Sequence, residues 1–206
     1  MNIKTLLTSA IGAILLSTTL PSYAKTQSII VAGGCFWCVE SDFEKVDGVI
    51  EAVSGYINGT TENPTYESVS SKKTGHYEAV KISFDDEKVS IETLTDYFWK
   101  TIDPTDAAGQ FCDKGSPYKT GLFYQNDAQK KVFEASLESV KQSKPFSAPI
   151  VTPVLEAEQF YLAEGYHQNY YSRNPIRYNY YRNGCGRDKR IKQLWGDIAS
   201  KHHKKK

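Results

Sequence analysis

Apolar residues along this chain alternate at strand spacing in some segments and recur at helical spacing in others. Their order is strand, helix, strand, strand, helix, strand. That order is the split βαβ pattern, and it predicts an α/β (α+β) chain with a ferredoxin-like two-layer sandwich and a central mixed sheet. Two long polar stretches and an aromatic, aliphatic-poor C-terminal segment predict that long loops and coil wrap this sandwich. With 206 residues, 40% of them hydrophobic, the chain is long enough for a single domain with a real core.

The elements follow in order. Ile29-Ile30-Val31 is a short apolar run that reads as the first strand. Gly33-Gly34 turns the chain, and Phe36, Val39, Phe43 and Val46 then recur at helical spacing, so Cys35 falls at a helix start. Asp47-Gly48 reads as a C-cap turn. Val49 to Tyr56 is the second strand, ending at Asn58-Gly59. Thr60 to Gly75 is polar and turn-rich and reads as a long loop. Tyr77 to Phe84 is the third strand. Ser90 is placed to cap a helix whose inner face is Ile91, Leu94, Phe98 and Ile102.

A second long loop runs from Asp103 to Lys119. Thr120 to Gln125 is the fourth strand, and Asn126 or Asp127 caps a helix reaching about Lys141. Ile150 to Leu155, interrupted by Pro153, fits an edge strand. Phe160 to Arg182 reads as a wrapping segment rather than a core element. A last helix spans Arg190 to Ile198.

The ends of the chain carry different information. Lys4, the apolar run from Leu6 to Leu20 and the small residues of Pro21-Ser22-Tyr23-Ala24 have the layout of an export signal. Residues 1–24 are therefore expected to be a signal peptide, and 25–198 a single domain. Residues 199–206 are expected to be a basic, disordered tail. The implied address is outside the cytoplasm, in the periplasm, with no stable membrane anchor once the signal is cleaved. Thiols there need a dedicated reductant. A formal net charge of +1 supplies no electrostatic footprint for nucleic acid. Met1 is the only methionine, so the mature chain lacks an oxidisable thioether. No interface signature stands out, and a monomer is the default.

The chemistry concentrates at Gly33-Gly34-Cys35-Phe36-Trp37-Cys38-Val39-Glu40. A thiol at a helix start meets the first-turn N–H groups and the positive end of the helix dipole, so its pKa is expected to fall and its thiolate fraction to rise. Phe36 and Trp37 follow it directly and are placed to form an apolar pocket. Cys38, three residues on, makes the spacing a redox or metal spacing. Haem attachment is excluded, because Val39 stands where a histidine is needed.

Four segments taken together are specific. Gly33 to Glu40, Asn63-Pro64-Thr65-Tyr66, Thr74-Gly75-His76-Tyr77-Glu78 and Gln110-Phe111-Cys112-Asp113-Lys114-Gly115-Ser116-Pro117-Tyr118 closely resemble the signature segments of the peptide methionine sulfoxide reductase A family. The match runs from about Ile29 to Trp195. The resemblance implies reduction of the S epimer of methionine sulfoxide, in oxidised proteins or as the free amino acid. It implies no cofactor and no metal, and a thioredoxin-like protein or other dithiol as reductant. By the same resemblance Cys35 is the nucleophile and Glu78 the acid. Tyr66 and Tyr118 are the donors to the sulfoxide oxygen, and Asp113 holds that donor network. Phe36 and Trp37 hold the substrate methyl group.

A sulfenic acid on Cys35 then needs a second thiol. Cys185, in the Gly-flanked stretch Asn183-Gly184-Cys185-Gly186, is favoured over Cys38, with Cys112 last. Cys38 departs from the more familiar glycine at its position. His76 and His167 read as structural histidines. Two other readings compete: a generic thiol–disulfide oxidoreductase built on Cys35 and Cys38, and a non-catalytic zinc module using Cys35, Cys38, Cys112 and Cys185.

Overall fold

The structure is a computed structural model, and it describes residues 26–196. The expected signal peptide, the tail and the end of the last helix beyond Gly196 lie outside the described residues. The elements are β1 (Thr26–Gly33), α1 (Phe36–Phe43), β2 (Val49–Ile57), α2 (Tyr66–Ser70), β3 (Tyr77–Asp85) and α3 (Ile91–Trp99). The chain continues with β4 (Gly109–Gln110), β5 (Asp113–Lys114), a 3₁₀ turn (Ser116–Tyr118), β6 (Thr120–Tyr124), α4 (Asp127–Ser143), β7 (Val154–Glu156) and β8 (Tyr161–Leu162). It closes with α5 (Tyr170–Arg173), α6 (Pro175–Gly184) and α7 (Arg187–Trp195).

Six strands form one mixed sheet in the order β7-β6-β1-β3-β2-β8. The inner four, β6-β1-β3-β2, carry the expected split βαβ core, with β1 antiparallel to both β3 and β6 and β2 antiparallel to β3. β1 is buried on both faces. Ile29 and Val31 point into the main core with Phe36, Val39, Phe98 and Trp99, while Ile30 and Ala32 join Ile57, Ala79 and Phe123 on the other face. β7 pairs parallel to β6 at the sheet edge, and α4 makes the crossover between them. Pro153 lies just before β7, where a missing N–H costs no ladder bond.

The helix starts obey local chemistry. The Ser90 hydroxyl accepts from the Thr93 N–H at 3.2 Å, and Asn126 rather than Asp127 caps α4, accepting from the Gln129 N–H at 3.0 Å.

The segments expected to be loops contain short elements. Within 60–75, α2 is set by a capping box: the Thr65 hydroxyl accepts from the Ser68 N–H and the Ser68 hydroxyl from the Thr65 N–H. Only Val69 of α2 is buried, so no helical period marks it. Within 103–119 lie the β4–β5 hairpin and the 3₁₀ turn. The wrapping segment 160–182 holds β8, α5 and most of α6, and α7 begins at Arg187, three residues earlier than expected. Cys185 sits at the corner between α6 and α7.

Candidate active site

The turn that presents Cys35 is built from both sides. Gly34 has φ +82, and a Cβ there would lie 2.5 Å from the Gln110 Cβ. Only glycine meets both conditions. Gln110 is buried and braced by the Asp103 N–H and carbonyl at 2.8 and 2.7 Å, so it cannot yield. From beneath, the buried Arg187 donates to the Gly33 carbonyl at 3.0 Å and the Thr101 carbonyl at 2.8 Å, with its guanidinium over the Phe111 ring. Cys35 is the N-cap of α1 and is 7% exposed.

Around it lies a cavity of about 70 Å³ lined by Cys35, Phe36, Trp37, Tyr66, Glu78, Asp113, Tyr118 and Tyr181. The side chains come from α1, α2, β3, β5, the 3₁₀ turn and α6, six elements spread over nearly 150 residues of chain. All seven residues expected at the site from Cys35 to Tyr118 are thus brought together.

Glu78 is the second residue of β3, paired with Tyr56, and is 2% exposed. Burial pushes its carboxyl up to about 8, against the pull of the Phe36 N–H, which donates to it at 3.1 Å. At neutral pH it carries its proton. That hydrogen bond also corrects the expectation for Cys35. The first free N–H of α1 is spent on Glu78, and burial, with the neighbouring Cys38 thiol next, pushes the Cys35 thiol well above its ordinary value. Desolvation outweighs the dipole of an eight-residue helix. The Cys38 thiol is hydrogen-bonded to Cys35; that contact, aided by Arg187 and Arg182, brings it down to about 7.

Two phenols face the same space. Burial raises Tyr66 to about 12 and raises Tyr118 further, so both remain neutral donors. The Tyr66 N–H is anchored on Glu164 at 2.8 Å, and the other oxygen of Glu164 accepts from the Tyr56 hydroxyl at 2.9 Å. Trp37 stacks on Tyr170 at 3.7 Å between ring centroids and donates from Nε1 to His167 Nδ1 at 3.1 Å. His167 is held neutral by burial, which outweighs Glu164, and braces Phe36, Trp37 and Tyr66 as a structural residue. His76 does not line the cavity and contacts the Thr61 carbonyl at 2.8 Å.

The other two cysteines form a disulfide, Cys112–Cys185, while Cys35 and Cys38 are free and buried. The sulfurs of Cys112 and Cys185 and the Asp113 carboxylate are also the one cluster with metal-ligand potential among the described residues. With the sulfurs bonded to each other and Asp113 accepting from Tyr181, it offers no free thiolate ligand.

Several residues of the site escaped the reading of the sequence. Tyr181 lines the cavity, and Arg187 braces the turn. Glu40 is fully buried, accepts from the Ser54 hydroxyl and the Asn169 N–H at 2.5 Å each, and is raised to about 7 by burial. It lies in the motif itself, and a carboxylate at that point of an apolar helix face was the available signal. Tyr181 has a weaker one: with Tyr178 and Cys185 it keeps helical spacing inside a segment read as irregular.

Comparison with known proteins agrees with this geometry. The family model described as peptide methionine sulfoxide reductase matches residues 27–199. The peptide methionine sulfoxide reductase MsrA of Bacillus subtilis (strain 168) is 51% identical over 172 residues, covering 84% of this chain and 97% of that protein. MsrA 2 of Rhizobium meliloti (strain 1021) is 50% identical over 176 residues, 85% of this chain and 87% of its own. Among solved structures, reduced Mxr1 from Saccharomyces cerevisiae is similar with a TM-score of 0.69 at 32% identity, covering 77% of this chain and 91% of that one. Methionine sulfoxide reductase A of Corynebacterium diphtheriae gives a TM-score of 0.65 at 26% identity, covering 77% and 79%. The chain belongs to the peptide methionine sulfoxide reductase family of oxidoreductases.

Proposed function

We propose that this enzyme reduces the S epimer of methionine sulfoxide, in oxidised polypeptides and as the free amino acid, with Cys35 as nucleophile and Glu78 as acid. The observation that carries the reading is a 2% exposed carboxyl, pushed up to about 8 by burial, lining the same small cavity as a cysteine sulfur. A sulfoxide sulfur is a poor electrophile until its oxygen is protonated or strongly hydrogen-bonded. Glu78 supplies the proton and the phenols of Tyr66 and Tyr118 supply donors. Phe36 and Trp37 hold the methyl group in the apolar part of the cavity, and Asp113 fixes the donor side. Attack by Cys35 releases methionine and leaves a sulfenic acid.

The thiol in contact with Cys35 is Cys38, one helical turn on, so Cys38 condenses with the sulfenic acid and releases water. Cys185, the resolving thiol favoured from the sequence, is bonded to Cys112, so it takes part only after an external dithiol has reduced that bond with two electrons. A thioredoxin-like protein or another dithiol restores the thiols. Export to the periplasm with a mature start near Lys25, and a monomeric state, complete the proposal.

The test is stereochemical. With dithiothreitol as reductant, a racemic methionine sulfoxide should be consumed to one half, and Cys35→Ser should abolish turnover. Consumption of both epimers, or activity in Cys35→Ser, rejects the reading. The rival thiol–disulfide oxidoreductase rests on the adjacent free thiols Cys35 and Cys38, both of them buried. Insulin reduction at rates above the sulfoxide reaction would favour that rival.

A further inference from the structure

The Tyr181 phenol stands between two acceptors. It donates to the Asp113 carboxylate and lines the same small cavity as Cys35, near enough to bear on the ionisation of its sulfur. A phenol has one proton to give, so it cannot donate to both. With Cys35 as a thiol, its S–H is free to donate to the phenol oxygen while the phenol donates to Asp113. Trp37 holds the ring edge-on at 6.0 Å between centroids, and the ring is carried on α6. Resting on the reductase reading, this chain of contacts answers a question that reading leaves open. Cys35 is buried as a thiol, Glu78 must keep its proton for the oxygen, and a group other than Glu78 has to take the proton from sulfur.

We propose that Tyr181 is a catalytic residue that passes the Cys35 proton to Asp113 as the sulfur attacks. The Cys35 S–H bond breaks, and its proton goes to the Tyr181 oxygen while the phenol's own proton moves to Asp113 Oδ2. The electron pair left on Cys35 forms a bond to the sulfoxide sulfur while Glu78 protonates the oxygen, and that hydroxyl then passes from the substrate sulfur to Cys35 as the new S–S bond breaks. Methionine leaves with two electrons gained, and Cys35 ends as a sulfenic acid with two lost. The proton on Asp113 returns to Glu78 across the cavity that both line. In sum, sulfoxide and thiol become sulfide and sulfenic acid, and no further oxidant or reductant enters this step.

The groups facing Cys35 are Cys38 on α1, Tyr66 on α2, Glu78 on β3, Asp113 on β5, Tyr118 on the 3₁₀ turn, and Tyr181 on α6. Arg187 on α7 lies behind Cys38. Cys38 is the rival acceptor, since its sulfur also touches Cys35. It does not line the cavity, however, and packs against Tyr170 and Tyr178 instead. A proton delivered there is lost to the site where Glu78 must be recharged.

The experiment is the pH dependence of Cys35 alkylation by iodoacetamide in the reduced enzyme, with the labelled cysteine identified by peptide mass. Tyr181→Phe should move the alkylation midpoint up by at least about one pH unit, a roughly tenfold loss of rate at pH 7. Single-turnover reduction of methionine sulfoxide should fall by the same factor. Asp113→Asn, which keeps the phenol, should shift alkylation in the same direction and serves if Tyr181→Phe does not fold. Glu78→Gln should slow reduction without raising the alkylation midpoint, since the Glu78 charge itself holds the Cys35 thiol up. An unchanged midpoint in both Tyr181→Phe and Asp113→Asn overturns the proposal, as does a shift confined to Cys38→Ser. Failure of the wild type to reduce any sulfoxide would reject the reductase reading, while alkylation would still report on Tyr181.

Discussion

At the scale of single residues, Glu78 is the most informative side chain in the molecule. Burial sets its folded value near 8, above the ordinary carboxyl value of 4.5. A raised carboxyl favours the folded state fully only where it is protonated in both states, below about 4.5. As pH rises from there, the unfolded chain ionises first, and stability falls until Glu78 itself titrates near 8. The melting temperature of the wild type should therefore drop between pH 5 and 8 by more than that of Glu78→Gln, which has nothing to ionise. Calorimetry of the two proteins across that range checks it; parallel curves would show that Glu78 is not buried as an acid. The kinetics carry the same signature. Single-turnover reduction should lose rate above about pH 8 in the wild type, and Glu78→Gln should be slow with no such limb. A carboxyl kept as an acid costs stability at the pH where it works, and the enzyme retains it because the reaction needs the proton.

At the scale of elements, the turn between β1 and α1 decides where the nucleophile stands. Gly34→Ala would place a methyl 2.5 Å from the Gln110 Cβ at φ +82. The left-handed backbone alone costs about 1–2 kcal/mol, and the clash adds to it because Gln110 is pinned at both ends. The variant should melt several degrees lower, and its sulfoxide reduction should fall by at least about tenfold, since a displaced thiol loses its alignment with the acid. Thermal melts and single-turnover rates together test this. A stable, fully active Gly34→Ala would mean that Gln110 moves freely. The same element shows how much of the site was legible. Cys35, Phe36 and Trp37 stand out because a glycine turn, a thiol and two aromatics fall together on a chain whose helical period begins there. The ionisation of Cys35 was not legible, because it depends first on how deeply the folded chain buries the thiol and then on Cys38 and on Glu78, which arrives from β3 and takes the first N–H of α1.

At the scale of the whole molecule, the Cys112–Cys185 disulfide closes a loop of sequence separation 73 and joins the β4–β5 hairpin to the α6–α7 corner. That ties together the two segments carrying Asp113 and Tyr181, which are themselves hydrogen-bonded. Cross-linking a loop of that length is worth about 2–4 kcal/mol through the unfolded chain. Cys112→Ser, or reduction with dithiothreitol, should lower the melting temperature and raise hydrogen exchange in residues 109–118 and 175–187. Unchanged exchange there would show that packing alone holds the two segments. Arg182 reinforces the same corner, pairing with the buried Asp42 at 2.8 Å and with Asp188 at 2.6 Å.

The sequence by itself determined the order of the principal strands and helices, the helix cap at Ser90 and one at Asn126 or Asp127, the thiol at a helix start and the set of residues that resemble the family's site. These are local, because spacing, capping and turn chemistry act within a few residues. Tertiary structure alone decided the pairing of Cys112 with Cys185, the proton on Glu78, the raised thiol of Cys35 and the arrival of Tyr181 and Arg187. Each of these depends on desolvation or on a contact between elements far apart in the chain, and neither leaves a period or a motif in the sequence.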